Sequence, residues 1–410
     1  MKLTCCVLCL TALLGCSIHV MASDMAHGTV STKAPTDKQS SWDNARTRPA
    51  TAITTAFDHN KILWQARVVN GHILLSQSTD HGKTFRSPTV VNTQAETISA
   101  AGENRPKIAF AKNNTIYISW TRSLDQPYSG DIRFAYSTDG GKHFSQAVTV
   151  NDNHDIISHR FDALSVDTQG NIHLVWLDKR DQLQAKKTGK TYTGNAVYHA
   201  VSRDQGRSFS ANQKLADNSC ECCRIAMDID QTGTPVIFWR HIYGRNVRDH
   251  ALLKLDGKSQ PVRVSYDHWE IAACPHHGGA ISIDENNNTH LTWFNNGPER
   301  HGLFYARSTD EGKTFSTALN FGNYDAQAAH PFVLAVKQSV HLVWKEFDGK
   351  QTQIQAMQSV DQGNTWLAVK IIATTDDASD HPLLVSDGNN AWLSWNTAKQ
   401  GFVFKVMPTP

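Results

Sequence analysis

The sequence predicts an all-β fold, a seven-bladed β-propeller of four-stranded antiparallel blades, on three observations. A short apolar strand ending in tryptophan recurs at Trp64, Trp120, Trp176, Trp239, Trp293, Trp344 and Trp395, about every fifty residues. About fifteen residues ahead of each, another strand begins, opened by a cation, a histidine or a cysteine: Arg48, Arg105, Arg160, Cys223-Arg224, His277, His330 and His381. Five stretches of the form Ser-X-Asp-X-Gly, each closed by an aromatic residue, carry Asp80, Asp139, Asp204, Asp310 and Asp361. Strands this short, alternating with period two and repeated so regularly, suit radial blades that leave few exposed edges.

In chain order, residues 1–22 read as a secretory leader, because the apolar run is too short to cross a bilayer. Leu13-Leu14-Gly15-Cys16 resembles a bacterial lipobox that would lipidate Cys16, and cleavage after Ala22 is the other reading. Both place the protein outside the cytoplasm, as an outer-membrane lipoprotein or in the periplasm. Residues 23–45 are polar and aperiodic and read as a tether. Residues 46–410 form the propeller, each unit running strand, strand ending in Trp, strand, Asp turn, strand. The fourth unit has lost its turn motif after Ala251, and the seventh stops at its third strand, so a strand near residues 40–46 is expected to complete it.

A formal net charge of +2 over 410 residues gives no case for nucleic acid, and the membrane is reached only through the lipid anchor. The chain reads as a monomer. Four of its eight cysteines lie in the leader, which leaves Cys220, Cys222, Cys223 and Cys274 to the folded part.

The five Asp turns resemble the Asp-box, or BNR, repeat of sialidase-like β-propellers. That resemblance implies six blades, whereas the tryptophan count favours seven. If it extended to activity, it would imply an exo-sialidase, with three arginines gripping a carboxylate, a Tyr–Glu nucleophile and an aspartic acid. Arg105, Arg160 and Arg224 stand at strand starts, with Glu103 and Asp162 beside the first two. The Phe-Arg-Ile-Pro motif is absent, and Tyr243, Tyr266 and Tyr324 are recommended only by their place in loops. Fold is implied by the resemblance; the catalytic set is not carried.

Connectivity puts the Asp turns on one face and the strand starts on the other, and strand ends converging there make a ligand site. Arg105, Arg160, Arg224, His330 and His381 are expected to hold a small anionic or carbohydrate ligand. "CECCR" and "CPHHGG" open neighbouring units, so Cys220, Cys222, Cys223, Cys274, His276 and His277 are expected to share one metal, copper or zinc, with Trp269-Glu270 behind them. The alternative is a disulfide from Cys274 to one of the other three, tying the two units, with a second bridge among the rest. A basic insertion at 178–195 reads as a protein-docking loop, a lid or a plain solvated hairpin.

Overall fold

The computed structural model describes residues 51–408. The expected leader, tether, Arg48 strand start and closing strand near 40–46 lie outside those residues. Within them the fold is all-β: successive antiparallel meanders occupy residues 53–90, 107–149, 159–219, 226–263, 280–321, 329–375 and 383–406. The first six have four strands each and the last has three. The third and fourth merge into one eight-stranded sheet through a single pairing, Ser219 with His241. No described helix is long and apolar enough to cross a membrane.

The tryptophans explain why the second strand of each meander anchors the core. Six of them are at most 1% exposed, and Trp64 is 5% exposed. A buried indole needs an acceptor for its N–H, and each finds one. Trp64 donates to Asp58, Trp120 to Glu96, Trp176 to Asp178, Trp239 to Ser219, Trp293 to Asp267, Trp344 to Glu346 and Trp395 to the Asp380 carbonyl. Asp58, Glu96, Asp267 and Asp380 sit in turns and connections, Asp178 and Glu346 two residues on in the same strand, and Ser219 at the end of the preceding meander.

In each of the five Asp turns the Ser hydroxyl donates to the Asp carboxylate and accepts the Gly N–H; the first pairs Ser78 with Asp80 at 2.7 Å and with Gly82 at 2.8 Å. Gly206, at φ 88°, needs both its backbone freedom and its missing side chain: a Cβ would stand 2.6 Å from the Phe134 ring. The closing aromatics pack half-buried across neighbouring strands rather than in the deep core, as Phe209 does on Phe134 and Trp366 on Tyr305. The fourth unit keeps a remnant of its turn, for Asp256 still accepts the N–H groups of Lys258 and Ser259.

Register fixes the two faces. Phe57 and Ser78 both pair with Leu63, so the first hairpin and the first Asp turn share one end of the sheet. Strand starts therefore lie at the other end. The first and last meanders adjoin: Asp380 accepts from the Ile53 N–H, Asn396 donates to the Thr51 carbonyl, and Phe57 packs on Trp392 and Phe404. A cleft of about 570 Å3 lined by Val336, His341 and Asn390 lies among the hairpin turns, away from the cysteine and histidine groups.

Candidate functional site

At the strand-start end, the buried carboxylate of Glu103 organises residues from distant parts of the chain. Arg224 donates its Nη1 to Oε1 at 2.9 Å and its backbone N–H to Oε2 at 3.2 Å, and the Gly278 N–H reaches Oε2 at 2.8 Å. The remaining Arg224 donors go to the carbonyls of Gly279 and Pro331. Burial alone would raise the Glu103 carboxyl, but the Arg224 charge and His330 more than offset it and hold the group well below the usual carboxylate range.

Arg105 is likewise committed. It makes a bidentate pair with Asp380, at 2.6 and 2.8 Å, and caps the Ile53 and Gly102 carbonyls. The expected three-arginine grip is therefore not assembled, because internal carboxylates occupy two of its members. Arg160 differs: it is half-buried over the Phe161 ring, its Nε has no hydrogen-bond partner, and Cys222 and Cys274 are among its electrostatic neighbours. The sialidase-like carboxylates and tyrosines are also accounted for. Asp162 is buried and accepts from Ser119 and Thr121, Tyr243 and Tyr266 pack on Arg263, and Tyr324 donates to Asn296.

The cysteines do converge. Cys220, Cys222 and Cys223 are buried in the connection after Ser219, with Cys220 Sγ 3.9 Å from Cys222 and 3.6 Å from Cys223. Sulfurs held about 2.3 Å from one tetrahedral Zn2+ stand about 3.8 Å apart, whereas a disulfide is about 2.05 Å long. Cys222 also belongs to a second group: its Sγ, that of Cys274 and a ring nitrogen of His276 lie within 4.8 Å of one another. The four cysteines among the described residues are free thiols, three buried and Cys274 exposed.

Two buried arginines stand over the thiols. Arg248 Nη1 donates to Cys220 Sγ at 3.1 Å. Arg240, 1% exposed, donates to the carbonyls of Arg248, His277 and Phe294 and lies over the Trp269 ring. Among the described residues neither guanidinium has a carboxylate partner, and buried cations require an anion. Cys220 is the acidic group beside them: hydrogen bonds from Cys222 and Cys223, then the two arginine charges, hold its thiol well below the ordinary range, while the contact with Cys220 pushes Cys222 up and burial pushes Cys223 up. Arg240 lies inside the strand Pro235–Tyr243, and its charge reaches Cys220.

His277, expected with the thiols, is elsewhere. Its backbone turns at His276, φ 55°, so the two side chains part; His276 joins Cys274, and His277 stacks between Phe294 and His330 at centroid distances of 4.3 and 4.5 Å. His381 continues the stack 3.4 Å from His330. Trp269, expected behind the metal ligands, lies against the Arg240 guanidinium, while Glu270 is exposed. The basic insertion is neither an open hairpin nor a bare loop: Arg180–Lys187 is a helix, tied by Arg180 to Asp152 and Asp178 and by Gln182 to Glu221 beside the cysteines.

No protein-family model matches the chain, and no curated protein matches it in sequence. Among solved structures, a Dyadobacter fermentans protein of unknown function aligns with a TM-score of 0.52 at 17% identity, covering 77% of this chain and 95% of that one. An ulvan lyase aligns at 0.55 and 10% identity over 88% and 91%. A leech intramolecular trans-sialidase reaches 0.48 at 11% identity over 84% and 82%, too loose a likeness to argue from. At such identities the likeness is one of fold, and it agrees with an all-β, propeller-like architecture whose solved neighbours include polysaccharide lyases.

Proposed function

We propose that the protein is an exported seven-bladed propeller that binds a soft metal ion, copper(I) ahead of zinc, at its channel mouth through Cys220, Cys222, Cys223, Cys274 and His276. The observation that carries this reading is the Arg248 guanidinium donating to Cys220 Sγ at 3.1 Å, with the buried Arg240 among that thiol's electrostatic neighbours and, among the described residues, no carboxylate paired with either guanidinium. A thiolate at Cys220 supplies that charge, and a cluster of sulfur donors selects soft metals. Cys222, common to both groups, is the pivotal ligand. Metal content and free-thiol count on protein purified anaerobically test this. Wild type is expected to retain copper(I) with no disulfide, and Cys222→Ser to lose it. Retention of metal by Cys222→Ser, or two disulfides in the wild type, would overturn the reading.

A second reading, an anionic-polysaccharide site at the same mouth, is favoured by the fold likeness to an ulvan lyase and by the Arg160 guanidinium with its unpartnered Nε. Here Arg160→Ala is expected to weaken binding of a uronate- or sulfate-bearing oligosaccharide at least about tenfold, the loss of one charged hydrogen bond. Equal binding by calorimetry in variant and wild type would remove it.

A further inference from the structure

We propose a second metal site, for a first-row divalent cation, formed by Glu103, His330 and His381. It uses nitrogen and oxygen donors only and does not rest on the thiolate reading. The side chains come from the connection into the second meander, the first strand of the sixth and the connection into the seventh, and their donor atoms lie within 4.8 Å of one another. Glu103 Oε1 stands 3.4 Å from His330 Nδ1 and 3.6 Å from His381 Nδ1.

The arrangement is unsatisfied as it stands. Both Nδ1 atoms are buried and have no hydrogen-bond partner. Each nitrogen faces the Glu103 oxygen at the edge of bonding distance without the geometry of a hydrogen bond, an arrangement that a shared cation would satisfy. Two histidines and one carboxylate with further positions open is a donor set that Fe(II), Zn2+ and Co2+ accept.

The surroundings are shaped to this group. A Cβ on Gly102 would lie 2.2 Å from His381 Nδ1, and one on Gly278 would lie 2.6 Å from Glu103 Oε2, so backbone without side chains is needed on both sides. His330 adopts φ 52° at a bulge between Ala329 and Phe332, which re-aims its ring along the stack. Phe294 and His277 close the far side of that stack. Arg224 opposes a cation, since its Nη1 is bonded to Oε1. It keeps the Gly279 and Pro331 carbonyls if it yields that oxygen, and Oε2 keeps two backbone N–H groups.

Co2+ titration of the full chain tests the site, because sulfur-to-cobalt charge transfer separates thiolate binding from nitrogen and oxygen binding. In a Cys222→Ser, Cys274→Ser protein, Co2+ is expected to bind with ligand-field absorption and without that charge-transfer band. Adding His381→Ala is expected to cost more than the roughly 10–100-fold that outer-shell changes cost. Unchanged affinity in a His381→Ala protein with native circular dichroism overturns the proposal. Should that variant not fold, proton NMR of the wild type with Co2+ decides. Hyperfine-shifted His330 and His381 ring resonances support the site, and unshifted ones overturn it.

Discussion

Replacing Arg105 by Met is expected to destabilise the fold by about 3–5 kcal/mol, the cost of leaving a buried charge without its partner. Asp380 is 3% exposed, and Arg105 supplies both of its charged hydrogen bonds. What remains to the carboxylate is the N–H of Ile53 at 3.2 Å and that of His381 at 2.7 Å, too little for a buried anion. The pair also joins residues 275 positions apart, and Arg105 caps the Ile53 carbonyl as well, so the loss falls on the seam between the first, second and last meanders. Hydrogen exchange is therefore expected to quicken first at Ile53–Phe57 and Leu383–Ser386, ahead of the middle sheets. A double variant, Arg105→Met with Asp380→Asn, should recover much of the stability, because removing both charges leaves no uncompensated ion. Denaturant unfolding within about 1 kcal/mol of wild type for the single variant would place the closure of the seam in its apolar contacts instead.

The repeat was legible because its signals are local. A tryptophan at the end of each second strand and a Ser-X-Asp-X-Gly turn after most third strands depend on residues within a few positions of one another, and the sheets follow them. A further local signal went unread: Asp58, Asp167, Asp230, Asp284 and Asp387 each cap the first hairpin of a meander through backbone N–H groups two to four residues on. The thiol group was legible for the same reason, since three of its members fall within four positions and its fourth opens the next unit. Its counter-charges were not, because Arg240 and Arg248 sit on strands where nothing in the pattern says which side chains turn inward. The histidine pair shows the limit from the other side. His276 and His277 are adjacent in sequence, yet one left-handed residue sends them to different groups. Glu103 was marked only as the acid beside Arg105; its actual partners lie 121 and 175 residues away, beyond any local pattern.

Arg224→Met is expected to cost a similar amount, about 3–5 kcal/mol, because it strips the buried Glu103 carboxylate of its charged partner. The loss spreads further than the pair, since Arg224 also bonds the Gly279 and Pro331 carbonyls and so ties the fourth meander to the fifth and sixth. The same substitution separates two accounts of Glu103. If the carboxylate serves only to neutralise Arg224, divalent cation should leave the variant as unstable as before. If Glu103, His330 and His381 hold a cation, Arg224 competes with it for Oε1, and the variant should regain stability on adding Co2+ while wild type gains less. That follows from linkage, because a ligand that binds only the folded state stabilises it in proportion to the logarithm of its occupancy ratio. Thermal melts of both proteins, with and without Co2+, give the comparison directly. A larger Co2+-dependent rise in the variant argues that one oxygen is shared between an internal arginine and a metal, and equal rises argue that the arginine alone owns it.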